Sequence, residues 1–373
     1  MGNPRPRPTA PTAPSGASGR ASPGGCEVAP ADPAPLDLLT EIESRIEIEE
    51  GRAFAWYDGL RLESAFQPVV SLAHGRAVGF EALVRPFAAH QRESLPPTDV
   101  FASADARGES KLLDGVCRTL HLVNFELSRL QDVWVFVNMA PGTILATGAP
   151  DPLFSLLLDR RGVPPQQVVI EILESKTYDE RRLANVVSYF RDIGCVVALD
   201  DFGAGQSNFE RIWRIAPDLI KLDRSMLEEA TREPSVRRIL PGLVALLHEA
   251  GCLVVMEGIE DEHQALIAME MDVDFVQGFF FGFPVGKIDP ACERLAATMR
   301  NLFRIFRNKT ARQTEVSRDT LEQYTHALDR VGARVRRDRH PRAHPAVDLD
   351  RVLDGGGHQV ALVGHRERTA GQR

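Results

Sequence analysis

The sequence predicts an α/β protein, a closed (β/α)8 TIM-like barrel with a tail at each end, on two observations. Eight short apolar, β-branched runs lie between residues 60 and 285, and helical patterns separate most of them. Strands alternating with helices imply crossover connections and a largely parallel sheet. Eight such units in about 230 residues match the size of a closed barrel. The second observation is that nearly every run ends in a polar or charged residue. Glu81, Asn138, Glu171, Asp200 with Asp201, Lys221 with Asp223, Glu257 and Gln277 all stand near the C-terminal ends of their strands. In a barrel these ends converge on one face, where the active sites of the fold lie.

Taken in order, residues 1–35 are rich in Pro, Ala, Gly and Ser. They cannot bury enough apolar area to offset their ordering entropy, and a disordered tail is expected there. Leu36, Leu39, Ile42 and Ile46 recur at helical spacing among acidic residues. They predict a short amphipathic lead-in helix to the main domain, assigned to residues 36–300. The eight runs follow as AFQPVVSL, AVGFEALV, VWVFVNM, QVVIEIL, CVVALDD, LIKLD, CLVVMEG and DFVQG. RRLANVVSYFRDIG and VRRILPGLVALLHEAG carry the helical period between them, and the Phe279–Phe281 cluster reads as core or helix packing. Beyond residue 300, Leu302, Phe303, Ile305 and Phe306 extend the last helix, and 312–332 could form another. The remainder of 301–373 is basic, then Gly-rich, and is expected to be mostly disordered. Its cluster Arg334, Arg336, Arg337, Arg339 and Arg342 reads as solvated surface rather than a nucleic-acid site.

Composition narrows the function classes. The 373 residues carry a formal charge of -8. That sign repels phosphate and argues against general nucleic-acid binding. It does not argue against a small phosphate ligand, because a bound cation reverses the local field. The five cysteines, Cys26, Cys117, Cys195, Cys252 and Cys292, form no CxxC pair. A disulfide framework or zinc site is therefore not expected, and a reducing compartment fits. The opening MGNPRPRPTAPTAPSG has no apolar signal region, and no apolar run approaches a membrane span. A cytoplasmic protein without membrane contact is expected.

The ring of strand-end residues offers carboxylates and a carboxamide, with no close Cys/His set. An all-oxygen site favours Mg²⁺ or Mn²⁺ over Zn²⁺. Several acids placed close together cannot all stay ionised without cations. Successive strand residues point to opposite sides. Asp200 and Asp201 thus reach one site only where the strand ends and turns, and the following FGAG supplies that turn. Such a pair could bridge two metals. Two metals serve phosphodiester hydrolysis by lowering the pKa of a water and stabilising charge on the phosphate and leaving oxygen. Lys221 adds a cation to orient the nucleophile or the phosphate, and Arg85 suits a phosphate oxygen. Singly, each residue has an ordinary reading: a strand-end acid in an ion pair, a capped turn, a Lys221–Asp223 pair, or a barrel-mouth amide at Gln67 or Gln277.

The order of the motifs adds a resemblance. FEALVRP at 80–86 resembles the signature of EAL-domain cyclic di-GMP phosphodiesterases. FQPVVSL (66–72), VFVNMAP (135–141), EILES (171–175), ALDDFGAGQSN (198–208), IKLD (220–223), VVMEGIED (254–261) and VQGFFFGFP (276–284) resemble the family's other segments in the same order. The resemblance implies hydrolysis of cyclic di-GMP to linear pGpG by a homodimer that uses Mg²⁺ or Mn²⁺, with two ions. Carried over by motif, Glu81, Asn138, Glu171 and Asp200 are expected as metal ligands, and Asp201 completes the second metal site. Lys221 would contact the attacking water. Glu257 is the general-base candidate, so that Glu81, Lys221 and Glu257 form the catalytic set. Gln67, Leu83 and Arg85 would touch substrate, Gln277 would support the site, and Glu174 would brace the loop after Asp201. The departures are Leu173, Ala204, Gln206, Asn208 and Met256, where the family has Thr, Thr, Tyr, Ser and Ala. None removes a metal ligand. Turnover is the expectation, and a non-hydrolysing cyclic di-GMP receptor or protein-interaction module is the alternative.

Overall fold

The computed structural model describes residues 35–88, 93–140, 152–173, 180–205, 209–289 and 292–311. The expectations for the tails before residue 35 and after 311, and those for Glu174, Gln206 and Asn208, lie outside the described residues.

The chain enters through α1 (Pro35–Glu43) and a hairpin of β1 (Ile46–Glu49) and β2 (Arg52–Tyr57). The lead-in helix is thus shorter than expected, and Ile46 opens a strand. Ile46–Glu49 alternates apolar and acidic at strand period. Glu50 and Gly51, both at positive φ, make the two-residue turn that a right-twisted hairpin prefers. Asp58 and Gly59 repeat the device and fold β2 back onto β3 (Leu60–Ser71).

β4 (Arg76–Ala88), α2 (Pro97–Ala106), α3 (Ser110–Ser128), β5 (Trp134–Met139) and α4 (Pro152–Arg161) follow. Then come β6 (Val168–Leu173), α5 (Glu180–Asp192), β7 (Val196–Phe202), α6 (Phe209–Ile215) and β8 (Leu219–Leu222). After these come α7 (Arg224–Arg232), α8 (Pro234–Glu249), β9 (Leu253–Met256), α9 (Glu262–Glu270), β10 (Phe275–Val276) and α10 (Glu293–Ala311). All eight apolar runs form strands, and β3 to β10 close into an eight-stranded barrel, since β3 pairs with both β10 and β4.

One strand departs from the parallel pattern. β4 to β10 run parallel, but β3 is antiparallel to both of its neighbours. The cause is the length of the link, residues 72–75, whereas a parallel return needs a crossover of about a dozen residues. Gly75, at φ 64°, takes the turn.

Period-two alternation sorts each strand into a helix-facing layer and a barrel-facing layer. Val135, Val137, Ile170 and Val254 pack outward under the helices. Phe136, Val169, Ala198, Leu219, Val255 and Phe275 pack inward into a second, separate cluster. Trp134 braces that inner floor edge-on, with ring centroids 6.3 Å from Phe136 and 5.9 Å from Phe275. Two residues beyond each floor residue, in the same phase, stand Asn138, Glu171, Asp200, Lys221, Glu257 and Gln277. The polar ring is therefore the next layer up from an apolar floor. Gly79 gives β4 the same phase: a Cβ there would lie 2.6 Å from the Phe136 ring, and Glu81 follows two residues later.

Helix α3 is buried from Leu113 to Phe125, because β2 and α1 pack against it as well as the barrel strands. Asn124 on this helix holds β2 by both edges of its amide, accepting from Ala53 N and donating to Ala53 O, each at 2.9 Å. No described helix is long and apolar enough to cross a membrane.

Candidate metal centre

Lys221 is the hub of the mouth. Its Nζ lies 2.5 Å from Glu171 Oε1, 2.7 Å from Glu257 Oε1, 3.1 Å from Asp200 Oδ1 and 3.6 Å from Glu81 Oε2, with 1% of the side chain exposed. Burial pulls the ammonium pKa down, but the four carboxylates, Asp200 foremost, outweigh it and hold Lys221 well above the usual lysine range. Glu81 is gripped from two sides: Gln277 Nε2 donates to its Oε2 at 2.6 Å and Asn138 Nδ2 to its Oε1 at 3.1 Å. Gln67 stands opposite Glu81 in the β3–β4 register despite the reversal of β3, and its Nε2 donates to Gly282 O at 3.2 Å. Asp223 is not part of the cluster. It caps α7 by accepting from Ser225 N at 3.0 Å, so Lys221 pairs with the ring and not with Asp223.

Asp200 and Asp201 do reach one site, and the turn that allows it begins at Asp201 itself. Asp201 has φ 58°, a left-handed conformation that Asp adopts more readily than most residues. The β7–β8 pairing breaks register between Leu199 and Phe202, which suspends alternation at this point. One oxygen each from Asp200, Asp201 and Glu257 consequently lie within 4.8 Å of one another.

The donor set fits divalent cations. Four carboxylates face one ammonium, which leaves three negative charges when all are ionised. Glu171 is 1% exposed, and its Oε2 accepts no hydrogen bond among the described residues. A buried carboxylate oxygen without a donor is costly, and a hard divalent ion supplies the missing partner from an all-oxygen set. Protonation answers the same need: burial first, then Glu81, pushes Glu171 well above the carboxylate range. Burial, reinforced by Asp200 and Glu81 and opposed by Lys221, pushes Glu257 up to about 8. Asp201 is raised by burial and by Asp200.

This sets a pH dependence. An acid whose folded pKa is raised stabilises the fold below its unfolded value and loses that contribution as pH rises through the folded value. For Glu257 the window runs from 4.5 to about 8. The metal-free protein is expected to melt at progressively lower temperature across this window, with Mn²⁺ restoring most at the alkaline end. A melting temperature of the metal-free protein that stays flat across the window would contradict the cluster's electrostatics.

Glu81, Asp200, Asp201, Lys221, Glu257 and Gln277 line a cleft of about 320 Å³, and Asn138 and Glu171 lie outside its lining. Leu83 and Gln67 line it as well. Arg85 is half-buried and outside the lining, with its Nη1 donating to Val84 O at 3.0 Å. Arg224, Gly258, Glu260 and Gly278 line the cleft without having been singled out in the sequence, and Phe279, read there as core or helix packing, lines it as well. Gly258 carried a signal: at φ 70° its Cβ would sit 2.3 Å from Arg224 Cβ, so only glycine lets α7 approach Glu257 this closely. The Phe279–Phe281 cluster divides. Phe281 is core at 3% exposure, as read, whereas Phe279 is 45% exposed and stacks on Phe283 with centroids 4.6 Å apart. Of the substituted positions, Met256 is buried in the helix-facing core, away from the mouth, and Ala204 is exposed in the turn after β7.

Comparison with known proteins follows the same lines. The EAL domain profile matches residues 56–284. RocR of Pseudomonas aeruginosa, named a cyclic di-GMP phosphodiesterase, is 27% identical over 231 residues, covering 61% of this chain and 58% of RocR. An uncharacterised protein of Azorhizobium caulinodans is 30% identical over 233 residues, covering 58% of this chain and 30% of its own length. The structure of Klebsiella pneumoniae BlrP1 with manganese and cyclic di-GMP superposes with a TM-score of 0.55 at 26% identity, covering 66% of this chain and 62% of that one. The chain thus spans less than two thirds of the length of these curated relatives.

Proposed function

The chain belongs to the EAL domain family, and from that membership we propose that it hydrolyses cyclic di-GMP to linear pGpG with Mg²⁺ or Mn²⁺, most simply as a two-ion site. The observation that carries the proposal is the complete polar ring, in which Glu81, Asn138, Glu171, Asp200, Asp201, Lys221, Glu257 and Gln277 occupy one mouth above an apolar floor. Glu81, Asn138, Glu171, Asp200 and Asp201 would hold the ions, which when bound lower the pKa of a water and neutralise phosphate charge. Glu257 takes the proton of the attacking water. Lys221, fixed by its four carboxylates, keeps a positive charge beside the reacting oxygen. Water oxygen bonds to phosphorus, the ring P–O3′ bond breaks, and the proton ends on the departing 3′ oxygen. Gln67, Leu83 and Arg85 are assigned to the substrate and Gln277 to the orientation of Glu81, with Glu174 bracing the loop after Asp201.

We place the reaction in the cytoplasm, supported by the free thiols of Cys117, Cys195 and Cys252, and in a homodimer, supported by the apolar surface of Trp213 (67% exposed) and Phe209 on α6. The deciding experiment is hydrolysis of cyclic di-GMP by purified protein with Mg²⁺, with Mn²⁺ and with chelator, beside Glu81→Ala. Metal-dependent pGpG that disappears in Glu81→Ala is the expected result. Tight binding of cyclic di-GMP without turnover would replace the enzyme by a receptor and direct attention to Leu173 and Ala204.

A further inference from the structure

Between Leu113 and Phe125 the sheath of α3 leaves polar side chains little access to water, so each has to find a partner inside the protein. Asp114 and Arg118, four residues apart on α3, pair at 2.7 Å with 3% of each side chain exposed. Asp114 also reaches out of its helix: its Oδ1 accepts from Ala140 N at 3.0 Å. Ala140 is the first residue past β5 and lies two residues beyond Asn138. Arg118 lies over the Phe154 ring, 5.4 Å from its centroid, at the start of α4. The pair therefore touches both ends of the connection that leaves the strand of Asn138.

A buried ion pair is a poor device for stability alone, because well-packed apolar residues in its place are often neutral or stabilising. Its contact with Ala140 suggests a different use. Asn138 is exposed at the mouth, where its side chain donates to Glu81 Oε1. Such a ligand is placed by its backbone, and its backbone is placed by what holds the end of β5.

We infer that Asp114, held in place by Arg118, is a positioning residue for Asn138: it fixes the backbone at Ala140 so that the carboxamide stays beside Glu81 in the metal centre. The inference rests on the reading of Asn138 as a cation ligand. Gly115 shows how tightly the helix is seated, since a Cβ there would lie 2.7 Å from Ile42 Cδ1 of α1. Asp114 thus sits on a rigid support and points its acceptor at the strand end.

The test measures Mn²⁺ binding to the metal-free protein of residues 1–373 by calorimetry, with thermal unfolding of the same samples. In Asp114→Leu/Arg118→Met both partners become apolar and the acceptor is lost. In Asp114→Asn/Arg118→Met the acceptor remains. The first variant is expected to melt near the wild-type temperature and to bind Mn²⁺ about 10- to 100-fold more weakly, and the second to bind within about threefold of wild type. Ala140→Pro removes the same hydrogen bond from the donor side and is expected to match the first variant, which covers the case in which that variant does not fold. Wild-type Mn²⁺ affinity in Asp114→Leu/Arg118→Met or in Ala140→Pro would overturn the inference, as would equal weakening in both double variants. Wild-type protein that binds Mn²⁺ without hydrolysing cyclic di-GMP would remove the proposed substrate but leave this inference to be decided by the affinities. Wild-type protein that does not bind Mn²⁺ would overturn both.

Discussion

Lys221→Met is expected to lower cyclic di-GMP turnover about 10²- to 10³-fold, the range for losing one preorganised charge at a reacting centre, while Mn²⁺ affinity holds or rises. The two signs come from one geometry. The Lys221 ammonium sits between four carboxylate oxygens at 2.5 to 3.6 Å. Removing it takes a like charge away from any bound cation and leaves the acids more negative, which favours divalent ions. The same change removes the positive charge beside the attacking oxygen. In the metal-free protein the carboxylates lose their shared partner, and the fold is expected to lose about 3–5 kcal/mol, as when one member of a buried pair is deleted. Lys221→Arg is expected not to rescue turnover, because a planar fork cannot replace a compact point charge in contact with four oxygens. Steady-state kinetics at saturating Mn²⁺, with calorimetry of Mn²⁺ binding, separates the outcomes. Wild-type kcat with weakened Mn²⁺ binding would make Lys221 an assembler of ligands and nothing more.

That hub was only partly legible in the sequence. The position of Lys221 was readable because LIKL is an apolar run broken by one charge, and a barrel strand gives such a break only one direction in which to point. Its four partners were readable for the same reason, since each interrupts an apolar run in the same phase as a floor residue. What the sequence could not show is convergence on one nitrogen, which is set by the stagger of neighbouring strands. The reversal of β3 was legible in principle, in the four-residue link 72–75. The β1–β2 hairpin was signalled by Glu50-Gly51 and the return to β3 by Asp58-Gly59, but Ile46 also fits a helical spacing, and that period prevailed. Phe279 and Phe281 are two apart in an aromatic run with no polar residue to mark the phase, so nothing local tells the exposed ring from the buried one. Asp114 and Arg118 look like an ordinary i,i+4 surface pair. The groups they meet, Ala140 after β5 and Phe154 on α4, come from later in the chain, which no local pattern shows.

Glu257→Gln bears most directly on mechanism, and its expected effect is a fall in kcat of about 10²- to 10⁴-fold, the usual scale for losing a general base, with cyclic di-GMP affinity within a few-fold of wild type. Glutamine fills the same volume and can still accept from Lys221 Nζ, which lies 2.7 Å from Glu257 Oε1, but it cannot take a proton. Burial and the Asp200 charge have already raised Glu257 to about 8 in the metal-free centre, so its conjugate acid is weak and its carboxylate a competent base near neutrality. Asp200 and Asp201 would hold cations whose charge favours the ionised form of Glu257. The same substitution has a second signature away from turnover. It removes an acid whose folded pKa is raised, so the metal-free variant is expected to match wild type in stability near pH 4.5 and exceed it near pH 8, flattening the melting curve against pH. Lost turnover with the flattened curve identifies Glu257 as a base whose strength comes from its burial among acids. Retained turnover with the flattened curve would leave that electrostatic origin intact and move the base to another group in the ring, with Asp201 the next candidate because its pKa is raised by the same causes.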